Sequence, residues 1–202
     1  MPHYRIFLLS PAHCGGKRAE LLLNERAAFP LAVRLRSSAG ATLGEAFSFL
    51  SGLYFRGKLA YAYRFARPPG ANAGVRVITT DRGLMDAGTE INTEDLRRFG
   101  TVDISPDEPG YSVPLARDAT LLRQLEDAEV ILLGSVATGK YVDILLEALG
   151  ERLLFPIEFV GRGDMSRGAL MLQAVRNDVE LTYQPVAGAI RRGRRAPRIG
   201  SR

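Results

Sequence analysis

Short apolar runs alternate with amphipathic stretches along the chain. Tyr4 to Leu9 is apolar apart from Arg5, the pattern of a buried strand. The loop over 10–16, Ser-Pro-Ala-His-Cys-Gly-Gly, leads to a helix from Lys17 to about Ala28. Leu31 to Arg36 alternates apolar and basic residues, which predicts an edge strand or an extended connection. Thr42-Leu43-Gly44-Glu45 has the form of a capping box and opens a helical stretch to about Phe65, where Gly52 and Gly57 predict a kink or two shorter helices. Residues 67–74 read as a loop, Val75 to Thr79 as a strand, and Asp81-Arg82-Gly83 as a turn out of it.

A short helix near Thr93 to Phe99 and a strand at Thr101 to Ile104 come next. The Pro- and Gly-rich segment 105–114 predicts an exposed loop. A helix at Asp118 to Asp127 precedes the strand Val130 to Leu133 and a helix from about Gly139 to Leu149. Leu153 to Phe159 reads as a strand interrupted or ended by Pro156, Ser166 to Arg176 as a helix, and Glu180 to Pro185 as a last strand. Five or six strands separated by helices predict an α/β fold: a three-layer sandwich on a mostly parallel sheet, one domain over residues 1–190.

Charge changes this picture at one end. The formal net charge is +5, and residues 191–202 carry six arginines and no acid, which leaves about −1 for residues 1–190. That segment is expected to be a disordered basic tail, able to meet a phosphate backbone in a salt-sensitive way or simply to solubilise the chain. The 202 residues contain one cysteine and two histidines, which rules out an internal disulfide and argues against a structural zinc site, while a carboxylate-held Mg²⁺ stays open. No apolar run reaches membrane-spanning length, and the opening residues lack the features of a signal peptide, so a cytoplasmic location is expected.

In an open α/β sheet, ligands bind outside the carboxyl ends of the strands. Three glycine-bearing loops fall there, at 10–18, 134–140 and 160–168, each followed by a predicted helix whose N-terminus would favour an anion. The second has the spacing of a phosphate-binding G-x-x-x-x-G-K loop, but Tyr141 stands where Ser or Thr would hold Mg²⁺. That argues against an NTPase and for an anion-binding turn using Ser135, Thr138, Gly139 and Lys140; the bland reading is a tightly packed helix start. In the first loop, Ser10 and an N–H nest at Gly15 and Gly16 are candidate anion ligands, with Lys17 and Arg18 as unusual cations in a first helical turn. Cys14 beside them could carry a lowered pKa, or simply be buried. In the third, Asp164 lies between Arg162 and Arg167, either a structural ion pair or a phosphate grip with an acid–base group.

One further helix matters. Leu43, Phe47, Leu50, Tyr54, Lys58, Tyr61 and Phe65 share a stripe, so Lys58 either snorkels from an apolar face or points to the pocket mouth between tyrosines that could stack a base. Arg56, Tyr63 and Arg67 lie opposite and could meet a nucleic-acid backbone.

Three patches carry a family resemblance: LLSPAHCGGK at 8–17, VITTDRGLM at 77–85 and GRGDMSRGALM at 161–171. In order and spacing the chain resembles the YaaA-type peroxide-stress proteins and related α/β domains. It departs from them where lysine follows Ser10-Pro11-Ala12 only at Lys17, and where Leu50-Ser51-Gly52-Leu53-Tyr54 sits in the long helical segment. The resemblance implies an α/β fold, a cytoplasmic location and DNA binding or protection under oxidative stress, but no catalytic residue.

Two classes of function lead, with an interaction module whose loops bind a protein carboxylate as a third. The leading one is a nucleic-acid- or nucleotide-binding protein whose loops grip a phosphate-bearing group, the partner being nucleic acid or a phosphorylated small molecule. The competing one is an enzyme acting on a nucleotide, nucleoside or nucleobase, with Asp164 as general acid/base and Lys58 or Lys140 as electrophilic partner. No cofactor can be assigned.

Overall fold

A computed structural model describes residues 4–191 and 193. The chain begins in β1 (Tyr4–Leu9) and passes through α1 (Lys17–Leu23), α2 (Pro30–Arg36), β2 (Ala41–Thr42), α3 (Leu43–Ser51) and α4 (Leu53–Phe65) to β3 (Val75–Ile78). It then forms β4 (Leu84–Asp86), β5 (Glu90–Ile91), α5 (Thr93–Phe99), α6 (Pro109–Arg123) and β6 (Ala128–Leu133). The last elements are α7 (Gly139–Leu149), β7 (Leu153–Pro156), α8 (Asp164–Asn177) and β8 (Tyr183–Pro185).

Strand polarity and side-chain alternation fix three layers. The six-stranded sheet has the order β4-β3-β1-β6-β7-β8. Its inner pairs are parallel and both edge strands run antiparallel. On β1, Phe7 and Leu9 enter one core with residues of α1 to α5 and α8, whereas Ile6 and Leu8 enter a second core with residues of α6 and α7. Apolar burial on both faces is why the central strands read as continuous hydrophobic runs. The pair β2–β5 forms a separate two-stranded ribbon beside α3.

Several expectations are corrected. Leu31 to Arg36 is helical: Pro30 occupies the first turn, where its missing N–H costs nothing, and the buried residues are Ala32 and Leu35, three apart. The helix expected from Lys17 to about Ala28 ends at Leu23. Thr101 to Ile104 is not a strand, and the supposed loop 105–114 contains the start of α6. Pro109 opens α6, Glu108 accepts from Gly110 N at its N-terminus, and Tyr111, Leu115, Ala119 and Leu122 form its buried stripe despite Pro114. The helix expected to reach Asp127 ends at Arg123. The last strand is shorter than expected, covering only Tyr183–Pro185, whereas β7 ends at Pro156 as that proline predicts.

Other local readings match. The capping box of Thr42 and Glu45 is formed at the start of α3, and Gly52, at φ 61°, separates α3 from α4. Gly57 does not interrupt α4. It is the contact point with α8, where an added Cβ would lie 2.7 Å from Gly168 O, and a Cβ on Gly168 would lie 2.9 Å from Leu53 O. Two facing glycines thus bring the backbones of α4 and α8 together, and this contact seats the start of α8 beside Tyr54. Among the described residues no helix is long and apolar enough to cross a membrane.

Candidate functional site

The parallel strands place the crevice. From β1 the chain crosses to β3 on one side, and returns later to β6 on the other. The loops leaving β1 and β6 therefore diverge at a topological switch point, where open α/β sheets bind ligands. Ser10 stands first in the loop after β1, its N–H bonded to Leu133 O at 3.1 Å. Gly134 follows β6, and an added Cβ there would lie 2.8 Å from both Ser10 Cβ and Tyr141 Oη. Glycine is needed at this position for close approach, not for backbone freedom.

Lys58 reaches the same point from α4. It is 1% exposed, and its Nζ donates to Ser10 O at 2.6 Å and to Ser10 Oγ at 2.9 Å. The Tyr54 and Phe55 rings lie 4.6 Å away on its own helix. A cation so enclosed loses its hydration, so burial pushes the amine down to about 7, against a weaker upward pull from the Asp164 carboxylate. The stripe along α4 thus has a lysine aimed inward, and snorkelling to solvent does not occur.

Tyr141 shows why the G-x-x-x-x-G-K loop is not a phosphate-binding P-loop. It is buried, and its hydroxyl donates to Ser135 O at 3.0 Å, tying the loop to the first turn of α7. Burial raises this phenol above its ordinary pKa, while a hydrogen bond to Ser10 opposes the shift. Ser135 is half-buried and Thr138 exposed. Thr138 caps α7 without a side-chain hydrogen bond, and Gly139 gives room to Asp143, whose Oδ2 would be 2.1 Å from an added Cβ.

The third wall is the start of α8. Its N-cap, Gly163, supplies no side-chain bond, so the first N–H groups of this 14-residue helix are not capped from within. Arg167 is buried and donates from Nε and Nη2 to Phe159 O at 3.3 and 3.2 Å, and from Nη1 to Asp164 Oδ1 at 3.5 Å. Asp164 itself has a side chain 66% exposed at the mouth. Arg162 donates to Glu158 O at 3.0 Å and to Ser166 Oγ at 3.3 Å. Tyr54 lies against this group with its hydroxyl buried, and burial raises its pKa further than the charge and hydrogen bond of Arg167 lower it.

Several sequence-derived candidates lie elsewhere. Neither Gly15 nor Gly16 has positive φ, so the proposed N–H nest does not form; Gly16 O instead accepts from Ala19 N and Glu20 N. Arg18 donates to Phe49 O and Leu50 O at 3.3 Å, satisfying the last carbonyls of α3, and this explains a cation at the start of α1. Lys17 is exposed. Cys14 is buried with its thiol pushed up to about 12 by desolvation, the opposite of an activated nucleophile. Lys140, His13, Cys14 and Gly15 line a neighbouring cavity of about 190 Å³ together with Thr80 and Asp103.

Tyr61 cannot stack a base. It is fully buried, with its ring edge-on to Phe7 and its hydroxyl bonded to Tyr183 Oη at 2.6 Å and Leu181 N at 2.7 Å. Tyr54 presents its ring to Lys58 and is itself buried, so it offers a base no free face. Arg56, Tyr63 and Arg67 are exposed, and Arg67 approaches Glu180 at 3.8 Å. The arginine tail lies outside the described residues save Arg191 and Gly193, and Arg191 is 3.6 Å from Asp143. Among the described residues, no three His, Cys, Asp or Glu gather as a metal site.

Sequence reasoning named Ser10 and Lys58 in different roles, but missed their contact across 48 residues. Tyr141 marks a departure from the P-loop in the sequence, but not the hydrogen bond to Ser135 O by which it closes a different loop.

Compared with known proteins, the chain matches no family model, no curated protein and no solved structure. The likeness to the YaaA-type proteins therefore rests on its three sequence patches, which fall at the ends of β1 and β3 and at the start of α8.

Proposed function

We propose that the crevice at the β1/β6 switch point binds a phosphate-bearing ligand, a nucleotide or the phosphate of a nucleic acid. The observation that carries this reading is the convergence of three chain segments on one point: Ser10 after β1, Gly134 and Ser135 after β6, and Asp164 to Arg167 at the start of α8. Two helix N-termini without side-chain caps, those of α7 and α8, contribute positive dipole ends there. Arg167 adds a guanidinium charge held in place by Phe159 O and Asp164. DNA binding, which the family resemblance implies, uses the same phosphate chemistry.

The enzyme reading with Asp164 as general acid/base draws on the same crevice. Asp164 stands two-thirds exposed, however, without the enclosure a general acid/base draws on. Binding is thus the better-supported reading. Calorimetric titration of the full chain with ADP, pyrophosphate and a short DNA duplex tests it. Arg167→Met is expected to weaken the tightest of these ligands roughly tenfold or more, the loss of one charge-assisted contact. Equal affinity in both proteins, or no binding to any of the three, would remove the crevice as a phosphate site.

A further inference from the structure

We propose that Ser10 and Lys58 form a nucleophile–base pair that hydrolyses a carboxylic ester, with Ser10 Oγ as the attacking atom and Lys58 Nζ as the general base. The inference goes beyond ligand binding and does not require the substrate to carry phosphate.

Three features of the geometry support it. First, Nζ lies 2.9 Å from Ser10 Oγ, within the reach expected of a nucleophile and its base. Second, a third group orients the base: Ser10 O accepts from Nζ at 2.6 Å, which fixes the amine against the hydroxyl. Third, the pair stands at the carboxyl end of β1, beside the switch point, where a ligand would lie. Both are buried, Lys58 at 1% and Ser10 at 6% exposure.

A lysine needed only for packing would be better replaced by an aliphatic residue, because lysines are seldom fully buried unless paired with an acid. Lys58 has no carboxylate within salt-bridging distance among the described residues. The charged and titratable groups around it are Asp164 and Arg167 of α8, Tyr141 of α7 and Tyr54 of its own helix. Burial holds the amine near 7, so a large share is neutral at physiological pH and has a free lone pair. In that state the 2.9 Å contact reverses, and the Ser10 hydroxyl donates to the amine.

The steps then balance. Ser10 Oγ attacks the ester carbonyl carbon as its proton passes to Lys58 Nζ. The tetrahedral intermediate collapses with cleavage of the bond to the alkoxy group, which leaves as the alcohol with the proton from Lys58. Water then attacks the acyl-Ser10 ester and gives a proton to Lys58. Collapse frees the carboxylic acid, and the Lys58 proton returns to Ser10 Oγ. The reaction consumes one water and involves no redox change.

The test uses the full chain, a fluorophosphonate probe that phosphonylates nucleophilic serines, and peptide mass spectrometry to locate the adduct. Hydrolysis of p-nitrophenyl acetate is followed in parallel. One adduct is expected, on Ser10, with a rate that rises through the pH at which Lys58 loses its proton, near 7. Lys58→Met is expected to slow labelling and hydrolysis by roughly 10²–10⁴-fold, the usual contribution of a general base, and Ser10→Ala to abolish the adduct. Should Lys58→Met fail to fold, the wild-type pH profile decides: a rise near 7 supports the pair and a flat profile overturns it. No adduct, an adduct elsewhere, or labelling unchanged in a folded Lys58→Met protein overturns it as well. None of these results depends on phosphate binding, so the two readings fail separately.

Discussion

An amine in a dry site is a large local cost, and Lys58 is enclosed by Ser10, Tyr54 and Phe55 with only two oxygen acceptors of one residue. Its folded pKa, near 7, lies below the ordinary lysine value of 10.5. Between these limits the unfolded chain binds the proton and the folded chain does not, so stability rises with pH, by at most about 1.4 kcal/mol per unit. Above 10.5 the effect is saturated, and below 7 the full penalty is present. Cys14 acts in the opposite sense: its raised pKa makes folding less favourable as pH climbs above its ordinary value of 9.0. Denaturant titrations between about pH 7 and pH 8.5 therefore isolate the lysine. Wild-type protein is expected to gain stability over that window, and Lys58→Met to show a flat profile at equal or higher stability.

Tyr61 provides a contrast on the same helix. Tyr61→Phe leaves Leu181 N and Tyr183 Oη without their shared partner and is expected to cost about 1–3 kcal/mol. It should leave ligand affinity unchanged, because the ring belongs to the core. A loss of affinity at constant fold would place Tyr61 in the site instead. Helical periodicity put Tyr54, Lys58 and Tyr61 on one stripe, and that much was legible in the sequence. Which of them faces the crevice depends on β1 and on Tyr183, remote in the chain, and no local pattern reports it.

Elements were legible where one period dominated. The α7 boundaries, the α5 boundaries and the capping box of α3 follow from apolar spacing and terminal residues alone. The errors have physical causes. The residues of α2 satisfy both the strand and the helix period, and a Pro at the first turn decided between them. Pro109 and Gly110 look like loop residues but sit at a helix N-terminus, where proline is favoured. Gly57 resembled a helix breaker and is instead the point where α4 touches α8, a property of the partner helix.

That contact can be tested directly. Gly57→Ala would place a methyl group 2.7 Å from Gly168 O and is expected to destabilise the protein by about 1–3 kcal/mol through overpacking. Because α8 carries Arg167, the same substitution should also weaken crevice ligands, whereas Thr42→Ala should not. The latter loses a capping box far from α8 and is expected to cost about 0.5–2 kcal/mol in denaturant titration with affinity retained.

At the scale of the whole molecule, strand order shapes the candidate site more than any single motif. Alternation of strands and helices was enough to predict a three-layer α/β sandwich on a mostly parallel sheet, and six strands in that arrangement are present. The antiparallel edges β4 and β8 were not predicted as such, because three-residue strands carry too little pattern to reveal their direction. The order itself, with β1 between β3 and β6, brings distant loops together, and this turns dispersed glycines and cations into one crevice. The same order sends Gly15, in the loop after β1, and Lys140, in the first turn of α7, toward a neighbouring cavity rather than toward Lys58.

The location of the crevice is tested most directly by backbone amide NMR of the full chain titrated with pyrophosphate. Shifts are expected to concentrate at Ser10, at 134–140 and at 163–167, and to saturate together with one affinity. Saturable shifts confined to other faces or to residues 191–202, or none at all, would contradict a phosphate site at the β1/β6 switch point.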